Sequence, residues 1–258
     1  MERDYFKLID GLFENYEKIV EYAINSKDPD PNPERIFLDT YTRFREKIKN
    51  KKGTGSGFTG IPELLYFQYM KRFLEKELGV EFQREPHSLK SAKEQVNLFK
   101  APYNRFELIL TSDVLIGENK HIDLPLFNFE ENKKMYIKPD IFVGVKNKTT
   151  TIPIAFFELK AWIEPGKIKT KVNDRFKNLK KNFASNEPYF VFIFLASKDT
   201  KKYNEKIEEF LSISDKCLLM RFLFNDFDNE NFTYIGEFKN DSIEKIATLI
   251  KKEITKLI

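Results

Sequence analysis

The run "PYFVFIFLAS", Pro188 to Ser197, constrains this chain more than any other stretch. Almost every residue in it is apolar, so it shows no alternation between a wet and a dry face. A strand of that kind is buried on both faces and needs helices on each side of its sheet. The flanking segments supply them. Upstream, "KTKVNDRFKNLKKNF" sets Val172, Phe176, Leu179 and Phe183 at helical spacing. Downstream come a helix from Lys202 to Leu211, two strand-like runs, "CLLMRFLF" and "FTYIGEF", and a terminal helix with the stripe Ile243, Ile246, Ile250, Ile254. Earlier still, "RFELILTSDVLIG", "KMYIKPDIFVGV" and "TTIPIAFFELKAW" read as strands.

The chain opens with helical periodicity instead. Tyr5, Leu8, Leu12, Tyr16, Ile19 and Ala23 mark a first helix, and the breaker "DPDPNP" ends it. Phe37, Tyr41, Phe44 and Ile48 mark a second, which runs into the basic "KIKNKK". After "GTGSGFTG", a third is expected from Pro62 to Leu78, with Phe67, Met70 and Leu74 on one face. The order predicts an α/β architecture with helices packed on a sheet. The segment from Thr150 to Ser197 is a strand, a crossover helix and a strand, which pair in parallel.

Composition narrows the function classes. The 258 residues are 41% hydrophobic and 33% charged, and no apolar run approaches the length of a membrane span. "MERDYFKLID" lacks the basic and apolar regions of a signal peptide, and Cys217 is the only cysteine, so the expected compartment is the cytoplasm. Cys217 opens an apolar run and is expected in the core. His87 and His121 have no Cys or His partner nearby in sequence, which argues against a zinc centre. Gly55, Gly57 and Gly60 match a dinucleotide-binding spacing, but they follow a basic helix rather than a strand, so no nucleotide cofactor is expected. Lys49, Lys51 and Lys52 beside them fit a loop passing close to a nucleic-acid backbone.

One strand carries charge where burial makes charge costly. In "IAFFELKAW", Ile154 to Trp162, alternation puts Ile154, Phe156, Glu158 and Lys160 on one face and Ala155, Phe157 and Leu159 on the other. The preceding strand holds Asp140 in "IKPDIF". A hairpin turn centred on Thr149 sets Asp140 opposite Glu158, and a shift of half a residue breaks that opposition. Two adjacent carboxylates repel, and a divalent cation resolves the repulsion; hard oxygen ligands suit Mg²⁺. Lys160 stands beside them to hold a water or neutralise a phosphate.

Pro139-Asp140 followed by Glu158-Leu159-Lys160 resembles the PD-(D/E)xK signature of the restriction-endonuclease-like nucleases. The strand–turn–strand–helix–strand order from Met135 to Ser197 is similar to that family's core. The resemblance implies a central mixed β-sheet flanked by helices, with an N-terminal helical region. It implies metal ligation by Asp140, Glu158 and the Leu159 carbonyl, and a catalytic role for Lys160. Glu63, in register with Phe67, Met70 and Leu74, matches the further acidic residue that the family often places on a helix before the sheet. The implied function is a Mg²⁺-dependent endonuclease acting on double-stranded DNA, of the site-specific type II restriction kind and working as a homodimer. A repair or recombination nuclease, or a nuclease fold that binds DNA without cutting it, are the alternatives. One nuclease domain is expected over 1–258: a helical region at 1–52, the catalytic core at 53–235 and a C-terminal helix at 236–258.

The helix after the charged strand carries Lys167, Lys169, Lys171, Arg175, Lys177, Lys180 and Lys181 against the single acid Asp174. The expected use of Lys167, Lys169, Lys171, Arg175 and Lys177 is a phosphate-binding face. Such contacts position a duplex without reading its sequence. Trp162 is expected to pack on the core, and the long region 79–137 has room for insertions that read bases, with no residue singled out.

Overall fold

The computed structural model describes residues 12–25, 32–48, 57–85, 97–112, 138–148, 150–160, 163–181, 183, 187–197, 200–223 and 241–257. Their centre is a seven-stranded mixed sheet whose strands lie side by side in chain order. These are β1 (Gln83–Arg84), β2 (Asn97–Tyr103), β3 (Phe106–Ser112), β4 (Ile141–Lys146), β5 (Thr151–Lys160), β6 (Tyr189–Ser197) and β7 (Cys217–Leu223). From β1 to β5 each neighbour is antiparallel, whereas β5, β6 and β7 run parallel.

Helices cover both faces, as the apolar run in β6 requires. α1 (Leu12–Asn25), α2 (Pro33–Ile48), α3 (Gly57–Leu78) and α7 (Ile243–Lys256) build one core with Val191, Ile193 and Leu195 of β6. On the other side lie α4 (Pro165–Ile168), a π-helical turn (Lys169–Asn173), α5 (Asp174–Lys181) and α6 (Lys201–Leu211). They pack a second core on Phe190, Phe192 and Phe194. Phenylalanines dominate that core. Phe142, Phe156, Phe190, Phe176 and Phe210 form a continuous series of ring contacts with centroids 5.1 to 6.3 Å apart. Such pairs add about 0.5–1.5 kcal/mol each beyond area burial. Both parallel connections, β5 to β6 and β6 to β7, cross this same face, so the sheet grows in one direction without reversal.

Expected helical stripes lie where periodicity put them: Ile19 and Ala23, Phe37 and Tyr41, Phe67, Met70 and Leu74, Val172, Phe176 and Leu179, and all four isoleucines of α7 are buried. Three features differ. α3 begins at Gly57, ahead of Pro62, so Gly57 and Gly60 lie within the helix rather than in the preceding loop. The strand β2 was not expected. It holds Lys100 and the exposed Pro102, which break its apolar pattern, and a tight turn at Asn104 with φ of 54° returns the chain into β3. The helix after β5 begins at Pro165 and contains an inserted π turn. Tyr5, Leu8, Lys49, Lys51, Lys52, Gly55, His87, His121, Trp162 and the run "FTYIGEF" lie outside the described residues. Among the described residues no helix is long and apolar enough to cross a membrane.

The second helix and the last one meet through a buried acid. Glu34 of α2, 2% exposed, accepts a hydrogen bond from the Ile243 N–H at the first residue of α7. Ser242 caps the same helix by accepting from Lys245 N–H at 3.1 Å. Burial pushes the Glu34 carboxyl above the ordinary carboxylate range, although its backbone hydrogen bonds oppose the rise. A carboxyl that keeps its proton longer in the folded chain than in the unfolded one favours folding below the ordinary carboxylate range. That stability is lost as pH rises through the folded value. Glu34→Gln keeps the acceptor and removes the titration. In urea unfolding at a series of pH values, the variant should gain on the wild type as pH climbs through this window. Parallel curves would refute the assignment. Glu34→Ala leaves a buried donor without its acceptor and should cost about 1–3 kcal/mol.

Candidate active site

The hairpin of β4 and β5 sets the site. Its turn is closed by Asn147 and Thr150, which exchange main-chain hydrogen bonds of 2.9 and 3.3 Å, so its centre lies half a residue before Thr149. Continued without interruption, that register would set Asp140 opposite Phe157, one residue short of Glu158. It is interrupted. Lys146 faces Thr151, Val145 faces Ile152 and Gly144 faces Pro153, but Val143 faces Ala155, so Ile154 has no partner. This β-bulge restores the alignment: Ile141 faces Phe157, and Asp140 comes alongside Glu158, its N–H donating to the Phe157 carbonyl at 3.0 Å.

The bulge also corrects the expected alternation. Ile154 joins Ala155, Phe157 and Leu159 in the first core, while Phe156 faces the second. Pro153, which has no N–H for the ladder, stands next to the bulge, and a proline inside a strand run is the sequence signal for it. Across from it, Gly144 is close-packed. A Cβ there would lie 2.8 and 2.9 Å from the Phe142 ring and 3.1 Å from Thr151 Cγ2.

Lys160 gathers the site's oxygens. Its Nζ lies 2.6 Å from Glu158 Oε1, 3.2 Å from Asp140 Oδ2 and 2.9 Å from the Leu159 carbonyl. Asp140 Oδ2 also accepts the Leu159 N–H at 2.6 Å, so a side chain continues the pairing of β5 beyond Ile141, where β4 stops. Arg175 completes the arrangement from α5. It donates through Nη1 to Glu158 Oε2 at 2.5 Å and through Nη2 to the Lys138 carbonyl, bridging the two segments that carry the carboxylates.

Local structure aims Arg175 there. Tyr203 of α6 donates to the Ile163 carbonyl at 3.1 Å, fixing the chain soon after β5. In the π turn Val172 and Asn173 are both fully buried, and Asn173 donates to the Lys206 carbonyl at 3.0 Å. The extra residue of the turn allows two consecutive side chains to face inward before α5 resumes.

Glu158 is 4% exposed. Burial, then the charge of Asp140, push its carboxyl upward, against the pull of Lys160 and Arg175. Burial draws Lys160 down, but Glu158 and Asp140 outweigh it, so the ammonium is held charged above its ordinary value. The result is two carboxylates and two cations locked together, with Asp140, Lys160 and Arg175 partly open to solvent.

Other expected site residues sit elsewhere. Glu63 is partly buried on α3, whose stripe of Phe67, Met70 and Leu74 packs in the first core, whereas Glu158 faces the side of α5. Among the described residues no three His, Cys, Asp or Glu side chains come together as a metal-binding group, so Glu63 does not join Asp140 and Glu158 here. Arg175 turns inward rather than onto the outer face of its helix; helical spacing gave its position, but nothing local to it announced Glu158 as partner. Lys177 pairs with Glu209 at 2.7 Å, holding that carboxyl down at about 2 together with Lys206, and Lys167 pairs with Glu164 at 3.2 Å. Lys169 and Lys171 are exposed. Cys217 is buried in β7, and burial pushes its thiol up to about 12, which suits a core residue.

No family model matches this chain, and no curated protein does. Among solved structures, the pre-specific restriction endonuclease BsaWI in complex with DNA aligns over 96% of this chain and 93% of its own, with 12% identity and a TM-score of 0.30.

The tight packing at the bulge is open to measurement. Gly144→Ala should cost about 1–3 kcal/mol in urea unfolding, because the Phe142 ring has to shift within the second core. Gly166→Ala, at a helical position with nothing within 4 Å, should be neutral or stabilising by up to about 1 kcal/mol. Equal responses at the two sites would contradict this account.

Proposed function

We propose that this chain is a metal-dependent endonuclease that hydrolyses phosphodiester bonds in double-stranded DNA, with site-specific cleavage of the restriction type, by a homodimer, as the specific form. One observation carries the reading: Asp140 and Glu158, from adjacent strands, converge on the Lys160 ammonium together with the Leu159 carbonyl. It supports the resemblance of Pro139-Asp140 and Glu158-Leu159-Lys160 to the PD-(D/E)xK nucleases.

The donor set fits Mg²⁺. Two carboxylates and a main-chain carbonyl are hard oxygen ligands, few enough for the ion to keep several waters. Asp140, Glu158 and Leu159 would hold it, and when bound it would supply Lewis-acid stabilisation of the phosphoryl oxygens and a more acidic water. Lys160, held protonated by its two carboxylate neighbours, can donate to a phosphate oxygen or orient a water at the same point. Glu158 is fixed by hydrogen bonds on both oxygens, so its orientation is set before any ligand arrives. The exposed Lys169 and Lys171 lie on the segment leading to α5, where contacts to the phosphate backbone would seat a duplex across the site. Single-domain organisation over 1–258 and a cytoplasmic location belong to this proposal.

Plasmid DNA incubated with the protein and Mg²⁺ should be cut, in discrete bands for a site-specific enzyme and as a smear for an unspecific one. Asp140→Ala and Lys160→Ala should each lower the rate by about 10²-fold or more. Cleavage that survives both substitutions would put the chemistry elsewhere. Duplex binding with no cleavage under any divalent cation would favour a non-cutting DNA-binding role.

A further inference from the structure

We propose that Arg175 is a counter-ion that ties entry of the divalent cation to entry of the phosphate; the inference rests on the nuclease reading above. The site balances its charges internally. Asp140 and Glu158 are matched by Lys160 and Arg175, and both oxygens of Glu158 are engaged, Oε1 by Lys160 and Oε2 by Arg175. The three oxygens suited to a cation are the same three that Lys160 Nζ contacts. A divalent cation entering alone would therefore displace an ammonium and leave a double positive surplus around a carboxylate that is 4% exposed. Low-dielectric surroundings penalise such a surplus heavily.

A phosphodiester offsets half of that surplus, and its neighbours in the backbone offset more. It brings negative charge, and the cationic side chains, 24% exposed for Lys160 and 28% for Arg175, can reach it. Arg175 is the better suited of the two. Its planar fork already spans two acceptors, Glu158 and the Lys138 carbonyl, and the same fork fits two phosphate oxygens. Transfer of Arg175 to phosphate frees Glu158 Oε2 and leaves the carboxylates with negative charge to spare for the cation. In the free protein Arg175 holds cation affinity down; with duplex bound it does not. By linkage the cation strengthens duplex binding by the same factor. Arg175 thus acts through Glu158, as a positioning and charge-balancing residue.

The test is a calorimetric titration of the full chain with Ca²⁺, which takes the same oxygen ligands, with and without a short duplex of randomised sequence. Ca²⁺ should bind about tenfold or more tightly when the duplex is present. Arg175→Met should raise the Ca²⁺ affinity of the free protein and shrink the coupling, whereas Arg175→Lys, which keeps the charge, should retain most of it. Equal Ca²⁺ affinity with and without duplex in the unmodified chain would overturn the proposal while leaving the nuclease reading intact. Undiminished coupling in Arg175→Met, with folding verified by circular dichroism, would overturn it too. Failure of both Ca²⁺ and duplex to bind would bring down the nuclease reading, and this inference with it. The first comparison needs no variant, so a substitution that fails to fold cannot shield the proposal.

Discussion

Glu158 is a carboxylate cut off from water at the end of a strand whose other residues form two hydrophobic cores. Ionised in such a place, it has to be met by charge and hydrogen bonds from the protein, since removing one partner of a buried pair costs about 3–5 kcal/mol. Much of the surrounding architecture serves that requirement. Lys160, two residues on, reaches one oxygen; Arg175 reaches the other only because the π turn and the Tyr203 and Asn173 hydrogen bonds set α5 where they do. Asp140 adds to the repulsion but also anchors Lys160, so the four groups stand or fall as one network.

The bulge at Ile154 matters because side chains in strands have only two directions. A one-residue slip sends every side chain beyond it to the opposite face. Between the turn at Asn147 and Thr150 and the site at Asp140, the hairpin uses that slip deliberately: the register leaving the turn is wrong for the two carboxylates, and one unpaired residue makes it right. Proline at 153 and glycine at 144 are what the distortion asks of its sequence. Bulges beside functional sites commonly re-aim a side chain in this way.

Much of this was readable from the chain. The apolar run in β6 called for helices on both faces, and they are there. The stripes of α1 to α3, α5 and α7 followed the 3.6-residue period because each packs one face on a core. The sequence aligns Asp140 with Glu158 only for a turn centred on Thr149; the turn centres half a residue earlier, and the bulge makes up the difference. What the sequence withheld is what depends on distant partners. Arg175 looked like one more cation on a basic helix, and its pairing with Glu158 depends on a π turn that no local pattern marks. The Lys177 pairing with Glu209 is likewise set by a partner from another helix. β2 was hidden by Lys100 and Pro102, which a strand near the sheet's edge tolerates.

The order of the sheet has a consequence for how the chain is assembled. Each strand pairs with the strand next to it in sequence, so loop-closure entropy is charged only over the span between consecutive strands. Among the described residues, no strand waits for a partner from the far end of the chain. Contacts that do include Glu34 with Ile243, across 209 residues, and Lys251 with Glu77, together with the burial of α7's isoleucines against α2, α3 and β5. α7 therefore contributes cover rather than pairing. Its docking can come after the sheet is complete, and its loss would uncover an apolar face without unzipping any pair of strands.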